Sequence, residues 1–223
     1  MHRKLLSEFV GVFAIVLVGY GSIAAAASGA WQPGPYGVSA VFGVVVALAI
    51  QLLGPFSIHF NPGVTLALGF MRWQPWRGLW LFVAVQCVAA LAAMGAIHAI
   101  FPTVDRFGAP SAQDGWLPAI AKEIVFMVPF IFLCMVSGTY FPRWRALAIG
   151  GMVFAIGTVF GRFAGGLSMN PACTLATNVM EGTLAVLPVY ALGTTAGCYV
   201  GFWSFRHAQP RLDRWLAGRG ATG

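Results

Sequence analysis

Two carboxylates stand inside long apolar runs of this chain, Glu8 and Glu123. A carboxylate at membrane depth is costly, so it faces the protein interior with a partner. Two roles suit such a pair. A proton relay through both would make an ion-coupled secondary transporter. Alternatively, each accepts hydrogen bonds from an irregular loop in its own half. Their placement, one per half, favours the structural role. A second pair of signals lies downstream. Asn61-Pro62-Gly63 begins 53 residues after Glu8, and Asn170-Pro171-Ala172 begins 47 residues after Glu123. Asn caps a helix N-terminus well, and Pro suits the first helical position. Each box therefore starts a short helix abruptly. The four cysteines, Cys87, Cys134, Cys173 and Cys198, form no CxxC pair, so neither a metal site nor a disulfide framework is indicated. With no zinc motif and no Ser/His/Asp set in register, no enzyme and no cofactor is implied.

The elements that carry these residues follow from composition. Of 223 residues, 59% are hydrophobic and 9% are charged, and mean hydropathy is +0.80. A soluble domain carries roughly 45–50% apolar and about 25% charged residues. An ordinary cytosolic enzyme, a disordered chain and a secreted disulfide scaffold are excluded, and a polytopic membrane protein remains. Six apolar stretches of spanning length lie near 5–27, 36–54, 79–101, 119–137, 146–162 and 184–205. The first resembles a leader in its basic start (His2, Arg3, Lys4) and its small residues Ala24-Ala25-Ala26. Glu8 and the length of the run argue for a span instead. Two shorter stretches, from Asn61 to about Phe70 and from Asn170 to about Met180, are roughly half a membrane thickness long.

Charge sets the orientation. The net charge is +7, but no basic run is long enough to track a phosphate backbone, so nucleic acid is not expected as a partner. With both termini inside, the inner face holds Arg3, Lys4, Arg72, Arg77, Arg143, Arg145, Arg206, Arg211, Arg214 and Arg219. The outer face holds Arg106, Lys122 and Arg162. That asymmetry supports cytoplasmic termini, and it puts the two short helices on opposite sides. Each half, about 1–110 and 111–223, is then three spans with a half-helix between its second and third. An odd number of spans inverts the second copy. The expectation is one all-α membrane domain over 1–223, with six transmembrane helices, two re-entrant half-helices and an inverted repeat. Paired interrupted segments of this kind point to a site at the bilayer midplane. Trp31, Trp73, Trp76, Trp116 and Trp203 suit interfacial anchoring, and the runs Ala24 to Ala27 and Ala89 to Ala93 suit close helix contact.

These residues resemble the aquaporin, or major intrinsic protein, family over nearly the whole chain. Ser7-Glu8-Phe9-Val10-Gly11 is similar to its first-span motif. Ser57-Ile58-His59-Phe60-Asn61-Pro62-Gly63-Val64-Thr65 is similar to its first box, and Gly166-Leu167-Ser168-Met169-Asn170-Pro171-Ala172 to its second. Gln86 resembles the third-span Gln, and Tyr190 to Gly193 the start of the sixth-span motif. The resemblance implies a passive channel for small uncharged solutes and water, in a lipid bilayer, as a homotetramer. Each half-helix would aim its positive end at the pore centre, and the Asn61 and Asn170 amides would donate to a passing oxygen. The short loops and tails suggest a bacterial inner-membrane protein.

Three departures from the family pattern stand out. The first box ends in Gly63 instead of Ala, a tolerated change that weakens the helix start by up to about 1 kcal/mol. Cys173 replaces the Arg that usually follows the second box, and Thr174 replaces a following Asp. A one-residue shortening precedes the first box. Carried over by spacing, the family's selectivity filter falls on Phe42 (or Val41), Thr158, Leu167 and Cys173. Losing Arg removes five donors and a fixed charge, so the expected constriction is wider and more apolar than usual. That favours glycerol-like polyols or metalloid hydroxides such as arsenous acid, with some water. A water-selective pore is the alternative, and a transporter using Glu8 and Glu123 is the alternative of another class. An occluded structural membrane protein differs from a channel only in flux. Arg162 is read as a solvated loop charge or a displaced outer charge. Cys173 is read as a small pore liner or a soft-metal target. His59 is read as a structural buried hydrogen-bonding residue or a gate near the inner vestibule.

Overall fold

The computed structural model describes residues 1–160 and 166–220; Arg162 lies outside them. Among the described residues the regular structure is helical. Six long helices are α1 (His2–Ala27), α2 (Gly37–Leu53), α4 (Leu79–Ile100), α5 (Trp116–Tyr140), α6 (Arg145–Phe160) and α8 (Leu187–Gly220). Two short ones, α3 (Pro62–Phe70) and α7 (Pro171–Glu181), fall between the second and third long helix of each half. At 1.5 Å per residue they are about half as long as the hydrocarbon core is thick. Each of the six spans expected from composition has its own long helix, the fifth as far as the described residues reach. The last helix extends beyond its span. A 3₁₀ turn covers Leu184–Val186, and α8 runs on well past residue 205 to Gly220. Arg206, His207 and Arg211 end the apolar run there. Charge ends a span but not a helix, because Arg, Gln, Leu and Ala are good helix formers.

The packing has the symmetry of an inverted repeat. Helix α1 packs on α2 and α4, as α5 packs on α6 and α8. Helix α3 packs on α4 and α8, as α7 packs on α8 and α4. The pairs α2–α6 and α3–α7 complete the set. Exchanging the first four helices with the last four maps these contacts onto themselves.

Missing side chains bring the axes together. A Cβ on Gly43 would stand 2.7 Å from the Gly150 carbonyl oxygen, and one on Gly150 would stand 2.4 Å from that of Gly43. This reciprocal pair sits where α2 crosses α6. Along α8, Gly193, Gly197 and Gly201 form a four-residue stripe against α5, where Cβ atoms would meet Glu123, Met127 and Ile131 at 2.8, 2.6 and 2.7 Å. Between apolar helices in lipid, such small-residue faces supply the packing that holds the bundle. Ala89, Ala90 and Ala93 are fully buried on α4 in the cluster it shares with α1.

Candidate functional site

The two Asn-Pro boxes meet. Asn61 and Asn170 are extended N-caps of α3 and α7, each followed by Pro at the first helical position. Asn61 Oδ1 accepts from the Gly63 N–H at 2.8 Å, and Asn170 Oδ1 accepts from the Ala172 N–H at 3.1 Å. The amide nitrogens reach across. Asn61 Nδ2 donates to the Met169 carbonyl at 2.6 Å, and Asn170 Nδ2 donates to the Phe60 carbonyl at 2.9 Å. An Asn amide has two N–H donors. One closes the cross-link, and the second is left for whatever enters the cavity that both residues line. Pro62, Gly63, Pro171 and Ala172 are buried in the first turns behind them.

Each box is held from behind by its own carboxylate. Glu8 is fully buried. Its Oε1 accepts from Ser57 Oγ at 2.5 Å and from the His59 N–H at 2.8 Å. Its Oε2 accepts from the Phe60 N–H and from Gln86 Nε2, both at 2.7 Å. Glu123 is also fully buried. Its Oε1 accepts from the Ser168 N–H at 2.6 Å. Its Oε2 accepts from the Met169 N–H at 2.9 Å and from Thr194 Oγ1 at 2.6 Å. Phe60 and Met169 occupy matching places in this scheme. Both have left-handed backbone, with φ of 49° and 56°, which is strained for a bulky residue. Each is gripped at both ends: its N–H by the carboxylate of its own half, its carbonyl by the Asn of the other half. Neither carboxylate lines the cavity. Both are occupied with neutral donors, which suits loop fixation and leaves a proton relay without a path.

A cavity of about 880 Å³ passes both sides of the Asn pair. We call its upper mouth the end formed by the C-terminal half of α1, the N-terminal half of α2, the C-terminal half of α6 and residues 166–168. The lower mouth is formed by residues 58–60, α5 and the opposite ends of α2 and α6. Phe42, Thr158, Leu167 and Cys173 all line the cavity toward the upper mouth, and Val41 does not. Thr158 Oγ1 is buried with no hydrogen-bond partner among the described residues. Cys173 is 4% exposed. At the lower mouth the lining is mostly apolar, with Ile58, Val64, Leu68, Phe130, Met135 and Phe202. Arg145 is the only Asp, Glu, Lys or Arg among the described lining residues.

His59 corrects its expectation. It is half-buried rather than buried, because its ring lines the cavity while its backbone N–H is held by Glu8, which does not. The ring lines the cavity, sits 3.2 Å by Nδ1 from Thr65 Oγ1, and stacks on Phe82 with centroids 5.2 Å apart. Gly63 also differs from its reading as a merely tolerated change. A Cβ there would meet Thr194 Cγ2, so the small residue is required by its neighbour. Tyr20 was missed by motif spacing and lines the upper mouth beside Phe42 and Cys173. The signal for it lies in α1, where Glu8, Val12, Val16 and Tyr20 recur at intervals of four and are all buried.

Electrostatically, two helix N-termini converge on one point, and each contributes roughly half a positive charge. With no acid among the described lining residues, a cation meets repulsion there and no compensating anion. A neutral molecule with an acceptor oxygen finds two amide donors.

Comparison with known proteins agrees with this geometry. The family model described as "Major intrinsic protein" matches residues 1–205. Aquaporin NIP1-1 of Oryza sativa subsp. japonica is 28% identical over 213 residues, covering 91% of this chain and 73% of that protein. Aquaporin NIP2-1 of the same plant is 30% identical over 207 residues, covering 91% and 69%. Aquaporin NIP2-1 of Arabidopsis thaliana is 28% identical over 232 residues, covering 95% and 79%. Among solved structures, the aquaglyceroporin from Plasmodium falciparum superposes with a TM-score of 0.75 at 15% identity, covering 92% of this chain and 94% of the other. At that identity the likeness concerns the fold.

Proposed function

We propose, for a chain that belongs to the major intrinsic protein family, that its pore passes glycerol-sized polyols and neutral metalloid hydroxides such as arsenous acid, with some water. Passive conduction of small solutes or water across a membrane, without enzymatic chemistry, is the activity of the family. The finer reading concerns the upper mouth, with Phe42, Thr158, Leu167 and Cys173 as its filter. One observation carries it. Among the described residues, the polar side chains lining that mouth are Tyr20, Ser39, Thr158, Ser168 and Cys173, all uncharged, and the Thr158 hydroxyl has no partner among those residues.

The physical argument runs from desolvation. A solute entering a narrow pore sheds water, and each unreplaced hydrogen bond raises its barrier. A fixed guanidinium would bind water oxygens strongly and narrow the path. Without it, scattered hydroxyls face an apolar wall. A polyol presents hydroxyls to the hydroxyls and carbon to the wall. Arsenous acid carries three hydroxyls and no charge near neutral pH, so it fits the same pattern. At the centre, the free N–H of each Asn amide takes the solute oxygen, and the converging helix ends oppose cations and hydronium. The wider assignments belong to the same reading. Residues 1–223 form one channel domain, a homotetramer in a cell inner membrane, with both termini cytoplasmic. The ten-to-three distribution of basic residues supports that orientation.

The test is stopped-flow light scattering on proteoliposomes under a glycerol gradient, with water flux as internal control. Glycerol entry well above that of empty vesicles, with low temperature dependence, is expected. Fast water flux without glycerol entry would overturn the solute reading in favour of a water-selective pore.

A further inference from the structure

We propose that Tyr20 is a specificity-determining residue of this pore, closing the space beside Cys173 with its ring and offering the filter its hydroxyl. This rests on the reading above that the upper mouth is the constriction. It adds a member from α1, a helix that contributes none of the four positions reached by motif spacing.

Three observations place Tyr20 there. It stands in the buried α1 stripe that begins at Glu8 and runs on to Ala24, so the helix that fixes the first box also carries a side chain to the upper mouth. Its ring meets Phe42 edge-on, with centroids 5.2 Å apart at 86°. Phe42 can lie that close to α1 because Gly19 has no side chain; a Cβ there would stand 2.4 Å from the Phe42 ring. Finally, Tyr20 and Cys173 are neighbours in the cavity lining.

The chemistry follows from the pairing. A thiol is a weak hydrogen-bond partner, so Cys173 leaves the neighbouring hydroxyl room for a better one. A passing solute hydroxyl offers it a better partner. The ring meanwhile takes up room that a small Cys173 leaves open. The pore at this level is therefore less wide and less apolar than the loss of Arg alone implies. Water, small and hydrogen-bonded to the molecules ahead and behind, depends little on one wall group. Glycerol must find partners for three hydroxyls at once and depends on it more. Tyr20 thus favours polyol over water through its hydroxyl and limits polyol length through its ring.

Tyr20→Phe and Tyr20→Ala separate these roles. Both are reconstituted beside wild type, with glycerol, erythritol and water fluxes measured per channel and thermal unfolding followed in detergent. Tyr20→Phe keeps the ring, so its unfolding midpoint stays at the wild-type value. Loss of one hydrogen bond to the solute lowers its glycerol-to-water ratio about threefold to tenfold. Tyr20→Ala admits erythritol that wild type excludes. A Tyr20→Phe ratio within threefold of wild type, or raised, overturns the proposal whatever Tyr20→Ala does, because a ring that only packs on Phe42 has no need of its hydroxyl. The solute reading fails separately, in wild type. If wild type passes water alone, the ring is what remains to be tested: Tyr20→Ala must then admit glycerol, and its continued exclusion overturns the assignment.

Discussion

Gly63 lies so close to Thr194 that a Cβ on the glycine would stand 2.8 Å from the threonine methyl. Thr194 Oγ1 in turn donates to Glu123 at 2.6 Å. The start of the first half-helix is thereby coupled to the carboxylate that holds the second. Gly63→Ala should push Thr194 off Glu123 and destabilise the protein by about 1–3 kcal/mol, the usual range for overpacking. Thr194→Ser removes the methyl and keeps the hydroxyl. The double variant should therefore recover most of the loss. Thermal unfolding of the two single variants and the double gives the coupling directly. Additive effects would mean that the two residues do not press on each other.

Gly43 and Gly150 offer a test of the two-fold. Each would place a Cβ against the other's carbonyl oxygen, and backbone gives way far less than a side chain. Gly43→Ala and Gly150→Ala should both sharply reduce folded yield, and by similar amounts. Gly151, one residue on, has open space where its Cβ would be. Gly151→Ala should be neutral or stabilising by about 0.5–1 kcal/mol, as expected for a helix-interior glycine. Folded yield and unfolding midpoint, measured side by side, check all three.

Glu8 and Glu123 separate loop fixation from proton transfer. A Gln side chain has one acceptor oxygen and presents an NH₂ where a carboxylate oxygen accepted. In Glu123→Gln it faces either the Ser168 N–H or the Met169 N–H together with the Thr194 hydroxyl. Each buried donor left unpaired costs about 1–3 kcal/mol, so Glu123→Gln and Glu8→Gln should fold poorly. Whatever fraction folds should conduct solute as wild type does. Wild-type flux should also be indifferent to an imposed proton gradient. Gradient-driven accumulation that the Gln variants abolish would restore the transporter reading.

How far this site could be read in the sequence depends on contrast. Glu8, Glu123 and the Asn-Pro boxes are polar or helix-starting residues against an apolar background, so type and spacing alone mark them and the inverted repeat. Phe42 was separable from Val41 only by direction, since spacing counts residues and not which face they occupy. Tyr20 was hidden because an aromatic in an apolar helix looks the same whether it faces lipid, core or pore. The Gly63–Thr194 contact joins residues far apart in the chain, and no local pattern carries it. The length of α8 is not legible in hydropathy, which marks where lipid ends, while helix propensity continues beyond it.

Cys173 decides the filter. It lines the upper mouth, 4% exposed, beside Tyr20 and Phe42. An Arg side chain at this place is far larger than a thiol and has no buried room to enter, so it must extend into the cavity. It brings a permanent charge and five donors, with no acid among the described lining residues to pair with it. Cys173→Arg should therefore narrow the path, hold water oxygens and exclude larger neutral solutes. Glycerol permeability should fall at least tenfold, while water permeability changes several-fold less. Cys173→Ser, nearly the same size, should keep glycerol flux within about threefold of wild type, since one wall hydroxyl replaces one thiol. Both fluxes are read in the same proteoliposomes by stopped-flow light scattering. If Cys173→Arg folds and passes glycerol as wild type does, the narrowest point of the pore lies elsewhere, and the lower mouth at His59 and Arg145 becomes the place to look.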